Sequence, residues 1–308
     1  MKRNSKPPAD RSRLTTEKRN ARSRDIDRRS TLEIVEIINR EDLQVAPAVA
    51  KERERIAAAA DLIVESFKRG GRLFYVGAGT SGRLGVLDAS ECPPTYGTRP
   101  FTVQGIIAGG ARALRRAVEG AEDDAKAGAR ALDRRGLKPR DVVAGISACG
   151  LAPFVRGAMD RAREVGAATI FITCAPEARK LIRADVIINP VPGPEVLAGS
   201  TRMKAGTATK LVLNTLTTTA MIRCGKAYGN LMVDVRVGSD KLRDRAERIV
   251  MAVTGVTRPR ARRLLNAAHG RAKVAIVMQV RRIGFDAAAN LLKQAGGSLR
   301  TALENDPK

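Results

Sequence analysis

The stretch Phe74-Tyr75-Val76-Gly77-Ala78-Gly79-Thr80-Ser81-Gly82-Arg83 decides the fold, because a short apolar run breaks into a glycine-rich turn and a helical period follows it. The same grammar recurs along the chain. Leu73 to Val76, Val103 to Ile107, Val142 to Ile146, Ala168 to Thr173 and Val186 to Ile188 are short apolar runs rich in β-branched residues, most of them separated by a helical stretch. Strands of this kind, alternating with helices, predict an α/β fold: a doubly wound, mostly parallel sheet covered on both faces, with ligand sites at the carboxyl ends of the strands. The glycine-rich turns fall at those ends.

Outward from this core, Thr31 to Asn39 and Pro47 to Lys68 show helical spacing, with Ser30 or Thr31 placed to cap the first helix. A long helix is expected from Thr207 to Cys224, and Lys241 to Leu303 reads as several short helices. Residues 1–30 carry the densest block of basic residues without an apolar face and read as a mobile tail. The expected organisation is therefore a tail over 1–30, a ligand-binding α/β domain over 31–240 and a small all-helical subdomain over 241–308.

Composition narrows the function classes. With 308 residues, 3% aromatic and no Trp, the core must come from Ala, Val, Leu and Ile. The formal charge of +24 and a pI near 10.9 would attract polyanions. Nucleic-acid binding is disfavoured all the same, since aromatic platforms and a recognisable reading motif are missing. A helix-turn-helix repressor is disfavoured too, because residues 1–68 hold no convincing helix-turn-helix. Cys92, Cys149, Cys174 and Cys224 form no CxxC pair, which argues against a metal site or a disulfide framework and fits a reducing compartment. No run approaches the roughly 20 apolar residues that cross a bilayer. A soluble, cytoplasmic protein is expected.

The turn at Gly77 fits GxGxxG, yet the next strand, within Pro100 to Gly110, carries no acidic residue to hold a ribose, so a dinucleotide is disfavoured. Gly79, Thr80 and Ser81 suit a sugar phosphate better: two hydroxyls beside free backbone N–H groups at a helix N-terminus. Glycines needed only for a tight turn are the plainer alternative. A second loop, Gly145-Ile146-Ser147-Ala148-Cys149-Gly150-Leu151-Ala152-Pro153, could complete a phosphate cradle through Ser147 and Gly150, with Cys149 a small filler. The sole histidine, His269, reads as a surface residue. Acid–base candidates must be carboxylates. Glu91 precedes Pro93 and Pro94, which are expected to stop its helix. Glu122 is expected in the following helix at the border of its apolar face, and periodicity alone does not choose it over Asp124. For each of them a solvated surface charge is the plain reading.

The run from Phe74 to Thr95 resembles the signature of the N-acetylmuramic acid 6-phosphate etherase family. Ile107 to Gly110, Ala117 to Asp123, Gly199 to Asn214, Asn230 to Asp234 and Leu299 to Asn305 also fit, so the resemblance covers about residue 14 to the end. It departs at Cys149-Gly150-Leu151-Ala152 and at Gly238-Ser239. The wording around Ser147 is also similar to the glucokinase regulatory protein, which makes a noncatalytic phosphosugar sensor the rival reading. The resemblance implies a sugar-isomerase (SIS) domain that cleaves the D-lactyl ether of a phosphorylated amino sugar without a metal or redox cofactor. By motif position it makes Glu91 the acid and Glu122 the base. Thr80, Ser81, Ser147, Ser200 and Lys204 are candidates to hold phosphate and sugar, a solvated helix-end charge being the alternative for Lys204. By analogy it implies a homodimer in which each subunit closes its partner's pocket.

Overall fold

The computed structural model describes residues 12–304 except Arg236. Residues 1–11 of the expected tail, and Asn305 of the closing motif, lie outside the described residues. The sheet is five-stranded, with β1 (Leu73–Gly77), β2 (Val103–Ile107), β3 (Val142–Ile146), β4 (Ala168–Ile172) and β5 (Val186–Ile188) in the order β2-β1-β3-β4-β5. Every pairing is parallel, with Gly77 level with Ile107 and with Ile146. Strand order therefore reverses direction at β1 and β3, and a crevice opens beyond their carboxyl ends.

Alternate residues of the strands feed two buried layers, as a sheet covered on both faces requires. Leu73, Tyr75, Val142, Ala144 and Ile170 pack with α3 (Arg53–Lys68) and α7 (Lys204–Arg223), whereas Phe74, Val76, Val143 and Phe171 pack with α6 (Pro153–Val165) and with Ala131 and Leu132 of α5 (Ala125–Asp133). A third core is separate in its residues: α8 (Asp240–Thr254), α9 (Arg258–Ala267), α10 (Ala272–Arg281), α11 (Phe285–Gln294) and α12 (Leu299–Glu304) bury Ile249, Leu264, Ile276 and Leu292 together with Val233 and Val235. The short helices expected after Lys241 are thus present.

Several local expectations are corrected. Ser30 caps α1 (Thr31–Asp42): its hydroxyl accepts from Glu33 N, and Glu33 answers by accepting from Ser30 N at 2.8 Å. The single helix expected over 47–68 is two, α2 (Val45–Ala50) and α3, because Glu52 turns inward at the break and accepts from Asn189 N at 3.0 Å. Pro93 and Pro94 do not stop α4 (Gly79–Tyr96). They occupy its last turns, and the helix ends where Gly97 takes a left-handed conformation and donates to Pro93 O at 3.0 Å. Residues 110–124 form 3-10 turns, Gly110–Leu114 and Ala121–Asp123, instead of a helix.

The segment expected as a mobile tail packs down from Ser12 onward. Leu14, Thr16, Asn20 and Ser23 are buried, the Ser23 hydroxyl donates to Val196 O at 2.7 Å, and Gly199 N donates to Thr16 O at 3.1 Å. Its basic residues stay outward while its small polar ones satisfy the loop before α7, a pattern with no period for sequence reading to catch.

Candidate functional site

The turn after β1 is shaped by close approach. A side chain on Gly82 would place its Cβ 2.6 Å from Ile107 Cγ1 and 2.8 Å from Gly77 O, so the turn folds tightly over the strand end. Gly79 has open space where its side chain would be. Thr80 is half-buried and Ser81 buried, and neither hydroxyl has a hydrogen-bond partner among the described residues. Both free hydroxyls belong to the first turn of the 18-residue helix α4, at the positive end of its dipole.

Beside it, the loop after β3 is closed on itself. Gly150 N donates to both the carbonyl and the hydroxyl oxygen of Ser147, at 3.0 and 3.1 Å, and Thr173 and Cys174 beyond β4 both donate to Ala148 O. Gly150 sits at φ +77°, and a Cβ there would lie 2.1 Å from Ala178 Cβ. Gly150→Ala is expected to cost about 2 kcal/mol or more of stability, readable as a lowered thermal midpoint, because left-handed strain adds to overpacking.

The third wall is the turn into α7. A side chain on Gly206 would stand 3.5 Å from Thr80 Cγ2, so the first turn of α7 borders the β1 turn. Ser200 is half-exposed, and its hydroxyl is free among the described residues. Thr80 and Ser81 thus stand beside the first turn of α7, and Ser147 and Gly150 lie in the loop that follows the neighbouring strand β3.

Lys204 is placed otherwise than expected. It is fully buried, and its ammonium donates to Glu41 Oε2 at 2.5 Å instead of standing at a solvated helix end or toward a ligand. Glu41 also accepts from Asn20 Nδ2 at 2.8 Å and pairs with Arg22. Burial alone would push the Glu41 carboxyl up, but the hydrogen bonds from Arg22, Lys204 and Asn20 hold it down at about 2. Glu195 accepts from the first backbone amides of α7, Lys204 N and Ala205 N, at 2.9 Å each. That helix end already holds a carboxylate, whose pKa burial raises. Glu41 and Glu195 escaped sequence reading because neither occupies a capping position or shares a period with Lys204.

The two expected catalytic glutamates are carried by separate elements. Glu91 is exposed on α4, and Glu122 is exposed in the 3-10 turn Ala121–Asp123. Buried Asp88, one turn before Glu91, accepts from Tyr75 and Thr217 hydroxyls at 3.0 and 3.2 Å, and burial raises its pKa. His269 is exposed, as expected, with its ring edge against Phe285. A cavity of about 890 Å³ lies elsewhere, lined by Asp234, Arg243, Arg271 and Lys273 around the helical region. Among the described residues no helix is long and apolar enough to cross a membrane.

The parallel sheet with its glycine-rich turns over the β1–β3 switch point defines an SIS domain. Residues 55–163 match the family model of the glucokinase regulatory protein N-terminal SIS domain. A Bacteroides fragilis protein described as a phosphosugar isomerase involved in capsule formation shares the fold, with TM-score 0.50 and 19% identity over 68% of this chain and 98% of that one. The N-acetylmuramic acid 6-phosphate etherase of Gloeobacter violaceus is 55% identical over 96% of this chain and 96% of its own length. That of Salinibacter ruber is 51% identical over 95% and 94%. The chain belongs to the N-acetylmuramic acid 6-phosphate etherase family.

Proposed function

We infer that this protein is a lyase that cleaves the D-lactyl ether of N-acetylmuramic acid 6-phosphate, giving N-acetylglucosamine 6-phosphate and D-lactate. What carries the reading is the turn Gly79–Gly82 with its free Thr80 and Ser81 hydroxyls after β1, in a chain 55% identical to an etherase over 96% of its length. The phosphate is held by Gly79, Thr80 and Ser81 at the α4 N-terminus, with Ser147, Gly150 and Ser200 along its flanks. Lys204 keeps the Ser200 turn in place from beneath, through Glu41.

In the ring-opened sugar the aldehyde at C1 acidifies the C2 hydrogen. Glu122 takes that proton, the electron pair forms the C2–C3 double bond, and the C3–O bond breaks as Glu91 protonates the departing lactate oxygen. Water, deprotonated by Glu91, then adds at C3, and a proton returns to C2. The protein acts in the cytoplasm as a homodimer in this reading.

The test is direct. Purified protein is incubated with N-acetylmuramic acid 6-phosphate, and D-lactate is assayed; release is expected. A noncatalytic phosphosugar-binding regulator would bind the sugar calorimetrically and leave it unchanged, and that outcome would replace the present reading. Ser81→Ala is expected to raise KM roughly 10-fold or more with kcat little changed, since it deletes a hydrogen bond to a charged group.

A further inference from the structure

Resting on that reading of the reaction, we propose that Glu17 is a specificity-determining residue, whose carboxylate accepts a hydrogen bond from a neutral donor of the bound amino sugar, its C4 hydroxyl or its acetamido N–H. Glu17 closes the 3-10 turn Thr15–Glu17 and is half-buried, yet its carboxylate has no hydrogen bond or ion pair among the described residues. In this it differs from every other buried or half-buried carboxylate among them. Glu41, Glu52, Asp141, Asp234, Asp244 and Glu247 each pair with a lysine or an arginine, Asp88 holds two hydroxyls, and Glu195 holds two backbone amides. A chain of formal charge +24 has cations to spare, and a carboxylate drawn partly out of water without a partner loses hydration with nothing in return. A ligand supplies the partner that the chain withholds.

Its position says which ligand. The Glu17 carboxylate oxygens lie 3.0 and 4.0 Å from where a Gly199 side chain would begin, and Gly199 N donates to Thr16 O at 3.1 Å. Gly199 opens the turn that carries Ser200 and Thr201, and Thr201 N donates back to Gly199 O at 3.0 Å. From there the β1 turn is close: Thr201 O and Thr80 Cγ2 lie 3.4 and 3.5 Å from one point, the Cβ that Gly206 lacks. The turn that Glu17 touches is therefore the turn that meets Thr80. The segment carrying Glu17 is also fixed in place. Thr15 Oγ1 donates to Glu177 Oε1 at 2.8 Å, in the 3-10 turn Pro176–Lys180 whose Ala178 lies against Gly150, while Asn20 and Ser23 donate to Pro194 O and Val196 O at 3.2 and 2.7 Å. The three residues Thr15 to Glu17 thus span from the loop of Gly150 to the turn of Ser200.

The charge of Glu17 selects the group it meets. A carboxylate repels the phosphate and the lactyl carboxylate alike, so the donor it accepts from is neutral. With the phosphate on Thr80 and Ser81, the neutral donors that the sugar offers in both its ring-closed and its ring-opened form are the C4 hydroxyl and the acetamido N–H. A hydrogen bond to an ionised acceptor is about twice as strong as one between neutral groups, so a single contact of this kind is felt in affinity.

The experiment compares wild type with Glu17→Ala. The variant is expected to raise KM for N-acetylmuramic acid 6-phosphate about 10-fold or more with kcat little changed, and to keep its thermal midpoint within about 2 °C. Inorganic phosphate, which fills the Thr80–Ser81 turn without reaching Glu17, should compete against the variant no more weakly than against wild type. Weaker competition would make Glu17 a prop for the turn and overturn the proposal. Two analogues separate the donors, the 4-deoxy sugar and the sugar with an N-methylated acetamido group, both as 6-phosphates carrying the lactyl ether. One of them should bind wild type about 10-fold more weakly than the parent sugar, and Glu17→Ala no more weakly than the parent. An unmoved KM, or no analogue whose loss disappears in the variant, would overturn the proposal. Calorimetry reads the same contact without turnover, so a wild-type protein that binds the sugar and releases no lactate would remove the lyase reading and leave the contact of Glu17 standing.

Discussion

Glu122→Gln is expected to lower D-lactate release by roughly 10²- to 10⁴-fold, the span over which removal of a positioned general base is felt. The substitution keeps the shape of the side chain and deletes its basicity. Glu122 is exposed and makes no hydrogen bond that the fold depends on, so the thermal midpoint should stay within about 2 °C of wild type. Binding of the sugar phosphate should survive as well, because the hydroxyls of the β1 turn are not touched. Rapid-quench or steady-state lactate assays with calorimetry on the same sample separate the two properties. Exchange of the C2 hydrogen with solvent should fall together with lactate release. A variant that still exchanges that hydrogen at the wild-type rate would move the base elsewhere, with Asp124, whose carboxylate already caps Ala127 N at 2.9 Å, as the neighbouring acid to replace next.

Glu41→Gln is expected to have the largest effect on stability. The substitution leaves the Lys204 ammonium fully buried with its nearest anion gone, and breaking a buried pair by removing one partner costs about 3 kcal/mol. For a chain of this size that is a fall of roughly 6–12 °C in the thermal midpoint. The pair also sets an acid limit. Folded Glu41 stays ionised down to about 2, whereas an ordinary glutamate takes up its proton near 4.5, so between these values the unfolded chain binds protons that the folded chain refuses. Stability from this group is therefore fully present above about 4.5 and falls away as pH drops toward about 2, by about 3 kcal/mol at most. Glu41→Gln should flatten that part of the stability curve while lowering it at neutral pH. An equal loss at every pH would mean that the carboxylate is not held by its neighbours.

The Ser200 turn should suffer as well, since Glu41, through Lys204, and Glu195, through the first amides of α7, are what fix it. A rise in KM accompanying the fall in stability would reflect that link.

Much of this molecule is legible in the order of its residues. Short β-branched runs and helical periods fix the strands and most helices, because backbone conformation and burial on a sheet's two faces answer to patterns a few residues long. Gly77, Gly79, Gly82 and Gly150 mark the turns at the strand ends, since those turns admit no side chain or ask for left-handed backbone. What sequence could not give are the partners of Lys204 and the elements that carry Glu91 and Glu122. Glu41 and Glu195 meet the start of α7 across 163 and 9 residues of chain, and no local period encodes such meetings. Motif position in the resemblance names Glu91 and Glu122 together, yet only the folded chain shows Glu91 on α4 beyond buried Asp88 and Glu122 in a 3-10 turn where a helix was expected, because sequence distance along a helix and distance from a site are different quantities until the packing is known.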